Sequence, residues 1–442
     1  MKFKHGLVTA GCLAAMGLAG TAQAVQVIGE TLEIFGNLYP QYQVTNSADG
    51  ALVGTIATAA GGPSNMTTGQ TTPTTGAAGT VTPVKQQVNW VNSYVGAKGQ
   101  KAFGDIRAGY ELQAVVMANG TLATETAEIG AARDAYIFIA HKAAGKLQFG
   151  QMDTIYKEFG DPVRLLGTSS GNFTSTSTIT SGVTWKSAMS TSAAGSATTM
   201  ISAPGTTSFN TRINGQIRWI SPEWSGVSIG ASYRPDPLKT ATTDASLMAA
   251  GIRWKNDKFY VGLAQEVHND YRTVSGTSAV VGSTTGAPFT DVGSNIYSTG
   301  NPRSKDTATR LTLGYTGEKF RLGADISTLE YTEAATVTGN FSSYKTDAWQ
   351  ITGEYMLTPQ ITVGGNYGVN AAGSCQLFNT TTCTTNGLGG TLMSLGARYD
   401  YDKNIGVFAL VGQTTVGAGA VLGGGNVGGN VSNMAIGVQL KF

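Results

Sequence analysis

Apolar and polar residues alternate along most of this chain, and the last segment shows the pattern most cleanly. In 432–442, Met434, Ile436, Val438, Leu440 and Phe442 alternate with Ala435, Gly437, Gln439 and Lys441. Successive side chains of a strand point to opposite faces, so this segment predicts a strand with one greasy and one wet face. The same period recurs upstream. It predicts strands near 31–44, 86–100, 105–117, 132–142, 146–153, 211–221, 226–235, 246–255, 258–269, 306–316, 319–331, 345–356, 360–369, 390–401, 405–413 and 431–442.

The connections between these strands alternate in length. Tight links such as Ala143-Ala144-Gly145, Asn256-Asp257 and Gly317-Glu318 are followed by polar stretches, the longest being 45–85, 154–210 and 271–305. Connections that long are uncommon in a compact soluble domain. An even number of strands, short turns on one side and long loops on the other, predict an all-β fold: a transmembrane antiparallel β-barrel of sixteen strands with long extracellular loops. At that strand number the interior is an aqueous channel. No segment after the first two dozen residues offers the roughly 20 apolar residues of a membrane helix. A bilayer-spanning chain without such a helix must be a closed barrel, because only those two structures satisfy every backbone group in lipid.

The N-terminus predicts export. A cationic start, Met1-Lys2-Phe3-Lys4, precedes an apolar run from Leu7 to Ala19, and Ala22-Gln23-Ala24 is a small-x-small cleavage site. Residues 1–24 are therefore read as a cleaved signal peptide and 25–442 as a single barrel domain. Cys12, with little apolar sequence before it and much after, is read as part of that signal rather than as a lipidation site.

Composition narrows the function. Without Lys2 and Lys4, the 29 basic residues fall to 27, matching the 27 acidic ones, so no general basic surface for nucleic acid is present. Charged residues make up 13% of the chain, about half the usual share, while glycine is abundant at 60 residues. Beyond the signal, only Cys375 and Cys383 remain, in a polar stretch of an exported chain, which predicts a disulfide. With only His141 and His268 to assist, they make no four-ligand zinc pattern, and no metal or cofactor is expected. No His-Glu-x-x-His or Cys-x-x-Cys-His occurs. Glu266, His268 and Asp270 share one strand face and suit a polar lumen better than catalysis, since the three include no nucleophile.

Several segments resemble the general trimeric porins of Gram-negative bacteria. Ser93-Tyr94-Val95-Gly96-Ala97-Lys98-Gly99 is similar to that family's second-strand motif, and Arg133-Asp134-Ala135-Tyr136-Ile137 to its Arg-x-Ala-Phe-Val. The stretch from Arg212 to Gly226, with Asn214, Ser221-Pro222 and Trp224, resembles a further family motif. Phe442, ending the chain directly after a strand, resembles the C-terminal assembly signal of outer-membrane barrels. Tyr94 and Gln151 depart from the pattern, standing where pore arginines are usual. The resemblance implies an outer-membrane location, a homotrimer, insertion by the barrel-assembly machinery, contact with outer-membrane lipid, and passage of ions and small hydrophilic solutes. It also implies that the loop after the fifth strand, 154–210, folds inward and narrows the pore.

Strand parity then selects the luminal side chains. Charges on the lipid face cost roughly 2–4 kcal/mol at the midplane, so wall charges turn inward. Lys98, Arg107, Arg133, Arg212 and Arg218 are expected to line the pore. Arg253, Arg310, Arg321, Arg398 and Lys441 also turn inward, against fewer acids: Glu111, Glu266, Asp325 and Glu354. Ile213, Ile217 and Trp219 are expected outside, and Asn214 and Gln216 inside. Glu158 and Asp161 are expected to supply the constriction loop's negative charge, opposing the basic wall. The functional expectation is a diffusion channel with weak anion preference. A substrate-selective anion channel, an adhesive surface barrel and a barrel enzyme stand as alternatives.

Overall fold

A computed structural model of the chain describes residues 25–48, 85–90, 93–121, 124–160, 162–167, 209–210, 212–237, 239, 244, 246–269, 305–332, 341–377, 389–416, 419–421, 424–426 and 429–442. Sixteen antiparallel strands close into one barrel. Strand β1 comprises Leu32–Leu38 and Gln41–Ala48, and β2 comprises Lys85–Asn89 and Tyr94–Phe103. Then follow β3 (Ile106–Thr121), β4 (Thr124–His141), β5 (Gly145–Asp153), β6 (Arg212–Ile220), β7 (Val227–Arg234) and β8 (Leu247–Lys255). The circuit continues through β9 (Phe259–Asn269), β10 (Lys305–Thr316), β11 (Phe320–Thr332), β12 (Phe341–Met356) and β13 (Ile361–Asn370, resumed as Ser374–Leu377). It ends with β14 (Gly390–Asp400), β15 (Ile405–Val416) and β16 (Gly429–Lys441). Each strand pairs antiparallel with its chain neighbours, and β16 returns to β1.

Two local features make that closure. At Pro40, which has no N–H to give the ladder, both β1 and its neighbour β2 are interrupted, and the Ser93 hydroxyl accepts the Tyr39 N–H at 2.8 Å. At the seam, Gly36 donates to the Phe442 carbonyl at 2.9 Å and the Phe442 N–H returns to Gly36 at 3.1 Å. The Phe442 ring lies directly over Gly36, where a Cβ would stand 2.5 Å from its Cζ.

Outward positions match the parity reading. Ile137, Leu263, Ile326, Ile351, Leu395 and Ile436 are each about half exposed on the outer face. Near the short turns, the Phe259, Tyr315 and Phe320 rings contact one another, at 5.2 and 5.0 Å between centroids. Farther along the strands, Trp349 meets Tyr367 at 5.7 Å. An apolar band edged by aromatics is the outer surface of a membrane barrel. Among the described residues, no helix is long and apolar enough to cross a membrane.

The strand boundaries depart from expectation at one connection. β3 and β4 extend to Thr121 and Thr124, leaving two residues between them where sequence reading expects a longer loop. Small residues from Ala118 to Ala127 carry little apolar alternation, so the pairing is invisible without its partner strand.

The core lies inside the barrel. Ile155, Tyr156, Phe159, Leu165, Leu166 and Phe209, all on the connection between β5 and β6, are buried against inward residues of the wall.

Candidate functional site

The connection after β5 enters the lumen at once. Thr154, buried, hands its hydroxyl hydrogen to Glu266 of β9, and a single helical turn follows, α1 (Ile155–Glu158). From there the described residues pass along the inner faces of β7 through β14. The loop's own backbone is held by the wall. Ser232 accepts the Ile155 N–H at 3.5 Å, and Tyr260 donates to the Phe159 carbonyl at 2.8 Å. Glu354 accepts the Leu166 N–H, and Arg398 donates to the Leu166 carbonyl at 3.0 Å. Tyr39 of β1 donates to the Gly167 carbonyl at 3.0 Å. Backbone groups removed from water need such partners.

Three arginines beneath the loop have carboxylate partners, while Arg253 of β8 lies on the Phe159 ring at 4.6 Å. Arg310, 1% exposed, pairs with Asp325 at 2.7 Å, reaches Asn210 at 2.8 Å and lies over the Tyr156 ring. Asp325 also accepts from Thr312 and Gln350. Arg321 pairs with Glu354, and Arg398 with Asp400. Glu266 meets His268 at 2.8 Å, and Phe209 stacks on that imidazole at 4.6 Å. These two residues, the only part of the suspected triad that is described, secure the loop; Asp270 lies outside the described residues. Burial pushes the Tyr156 phenol well above its ordinary value, so it stays a neutral donor, to Ser327 at 3.2 Å.

The opposite wall, β1 to β6, meets the described loop residues at points such as Tyr39 and Arg218 rather than along its glycines. It borders a cavity of about 700 Å³ lined by Arg107, Glu111, Tyr136, Lys146, Glu158 and Arg218 among others. Cations here lie on aromatic rings: Lys98 on Phe35 at 5.0 Å, Arg133 on Tyr94 at 4.4 Å, and Lys146 on Phe138 at 4.5 Å. Tyr94, the departure from the resembled pattern, therefore serves as the platform for Arg133. Lys98 also pairs with Glu33 at 3.0 Å. Neither Arg107, which is exposed, nor Lys146 has a carboxylate within ion-pair distance among the described residues.

Of the five basic residues expected at the pore, Arg107 and Arg218 border the cavity, Lys98 and Arg133 lie on aromatic rings, and Arg212 is paired with Asp134. Alternation from Ile137 would turn Arg133 outward. The β3–β4 register slips between Leu112 and Ala114, a bulge that sets Arg133 and Asp134 together opposite Gln113. Asp134 then pairs with Arg212 at 2.7 Å, which also meets Asp153 at 3.2 Å. A second slip, between Gly150 and Met152, and a left-handed Gly215 (φ +68°) break the alternation of β6. Ile213, expected outside, is consequently buried beside Leu247, and Asn214, expected inside, is exposed. Ile217 keeps its outward place and Gln216 its inward one.

Glu158 does not stand across a gap from the basic wall. It touches Arg218 at 3.3 Å, and Arg218 is further held by Gln148 and the Asp153 carbonyl. Inward acids that sequence reading omits, Glu33, Asp134, Asp153 and Asp400, also pair with wall cations. Asp161 lies outside the described residues, as do the signal segment 1–24 and Cys383; Cys375 lies in the short strand Ser374–Leu377.

The barrel and its strand number agree with comparison against known proteins. The model of the Gram-negative porin family matches residues 9–419. The chain belongs to the Gram-negative porin family. No curated protein matches it. Among solved structures it is similar to an anion-selective porin from Comamonas acidovorans, with a TM-score of 0.58 and 13% identity over 93% of this chain and 99% of that one. It is also similar to OmpT of Vibrio cholerae (TM-score 0.54, 13% identity, 95% of this chain and 100% of that one) and to OmpF of Salmonella typhi (TM-score 0.54, 12% identity, 95% and 100%). At these identities the likeness concerns the fold. As a member of the family, the porin is an outer-membrane channel for passive diffusion.

Proposed function

We propose that this porin passes small hydrophilic solutes and ions along its β1–β6 wall, with a modest preference for anions and without bond chemistry. The observation that carries the preference is the charge inventory of the two walls. Beneath the loop, Arg310, Arg321 and Arg398 are each neutralised by a neighbouring carboxylate. Bordering the cavity, Arg107 and Lys146 of the β1–β6 wall and Arg253 of β8 have no such neighbour among the described residues, and they outnumber Glu111, the acid there that bonds only Tyr136 and Gln113. Water fills a lumen of this strand number and screens charge within about 8–10 Å at physiological salt, so the bias is small. A solved relative is described as anion-selective, which accords with this reading. Residues 154–210 act as the constriction loop, the outer apolar band meets lipid, and the working assembly is a homotrimer, as in the trimer form of OmpT from Vibrio cholerae.

Single-channel recording of the purified protein in a planar bilayer tests this. Discrete ohmic conductance steps, grouped in threes, are expected. Conductance that saturates with one anionic solute would favour a substrate-selective channel instead, and a folded, inserted barrel that conducts nothing would refute the reading.

A further inference from the structure

The residues on which the loop lies are unusual for strand interiors. Glycine weakens a strand and often marks a place where another backbone approaches closely. Here, three pairs of inward glycines sit directly opposite each other across neighbouring strands: Gly230 and Gly251 on β7–β8, Gly314 and Gly323 on β10–β11, and Gly364 and Gly396 on β13–β14. Gly262 of β9 falls between the first two pairs.

Every one of these positions faces the loop. A Cβ on Gly230 would stand 2.5 Å from Ile155 Cδ1, and one on Gly251 3.0 Å from Phe159 Cδ2. On Gly262 it would meet the Phe159 carbonyl oxygen at 2.8 Å. On Gly314 it would meet the Pro162 ring at 3.0 Å, and on Gly323 the Val163 Cβ at 3.1 Å. On Gly364 and Gly396 it would meet Leu165 at 3.0 Å and Leu166 at 2.8 Å. The contact is reciprocal at one point: a Cβ on loop residue Gly160 would stand 2.1 Å from the Arg310 guanidinium. β12 is the exception in the belt. Its Gly353 faces outward, and at that height the inward Glu354 takes the Leu166 N–H instead.

We propose that this belt of wall glycines sets the aperture of the porin. They are positioning residues: by leaving out a layer of Cβ atoms along one circumference, they let the loop lie flush with β7–β14 and leave the space along β1–β6 open. The inference rests on the channel reading above and adds what fixes the channel's width.

The test adds methyl groups to the belt. Gly262→Ala and Gly314→Ala are prepared singly and together, with Gly353→Ala, whose methyl would point outward toward Leu322, as the control. Heat-modifiable mobility verifies the folded barrel, and single-channel conductance is the readout. The belt substitutions are expected to lower the conductance step and slow the entry of larger solutes, the double variant most, while Gly353→Ala matches wild type. A second test does not depend on those variants assembling. Gly230→Ala is expected to lower conductance, and adding Ile155→Ala, which vacates the space the methyl needs, is expected to restore it. Unchanged or increased conductance in folded belt variants, or no rescue by Ile155→Ala, would overturn the proposal. A wild-type protein that forms no channel would instead refute the channel reading itself.

Discussion

The two halves of the barrel wall share one strand architecture and differ in what they do with charge. Under the loop, β7–β14 present glycines, small residues and arginines held by carboxylates, most completely Arg310, which touches Asp325, Asn210 and the Tyr156 face and is 1% exposed, while Arg253 lies on the Phe159 ring at the cavity's edge. Along β1–β6, Arg212 and Arg218 are paired with carboxylates, while Lys98, Arg133 and Lys146 rest on aromatic rings and Arg107 is exposed at the cavity. A charge in the first setting holds the loop; a charge in the second is seen by a passing ion. Counting inward charges without this distinction overstates the field in the pore, because a paired arginine and carboxylate cancel at a distance.

The largest effect should come from breaking the covered side. Arg310→Ala leaves Asp325 buried without its cation, which typically costs about 3–5 kcal/mol. We expect a marked loss of resistance to heat or denaturant, read by the mobility of the folded barrel on gels, together with unsteady conductance as the loop loosens. Arg107→Ala should leave that stability unchanged. Wild-type-like resistance in Arg310→Ala would erase the contrast between the walls.

A smaller effect is expected from the open side. Arg107→Gln together with Lys146→Gln should shift the reversal potential toward cations, and the shift should shrink at high salt as the Debye length shortens. Stability should change little, since neither residue is in an ion pair among the described residues. The smallest effect is expected from Glu158→Gln. Glu158 is about one-third exposed and its contact with Arg218 is 3.3 Å, so its removal should cost under about 1 kcal/mol. It should nevertheless release Arg218 and strengthen anion preference. A shift toward cations in Glu158→Gln would show that the acid does not neutralise Arg218.

What was legible in the sequence was whatever depends on period alone. Strand number, the division into short turns and long connections, the outward apolar residues and most luminal ones follow from alternation, and β9 to β11 and β14 to β16 obey it without a break. What was not legible depends on register. Ile213 and Asn214 exchange their expected environments because the ladder slips at Gly150 and Gly215. Alternation from Ile137 puts Asp134 on the luminal face, but only the bulge brings Arg133 inward beside it. Nor does a strand show its cross-strand neighbour, so Arg310 and Asp325, fifteen positions apart, read as two separate luminal charges rather than one neutral pair. The glycines of the belt were hidden among sixty, since nothing in a single strand marks which glycine another segment will lie upon.

The central claim is that the cations bordering the cavity that have no carboxylate neighbour among the described residues, Arg107 and Lys146 foremost, govern which ions pass. The reversal potential of the wild-type channel across a potassium chloride gradient, recorded at low and then high salt, tests it most directly. The account predicts a potential of the sign given by chloride preference, modest at low salt and smaller at high salt. A channel that clearly prefers potassium at low salt would contradict it.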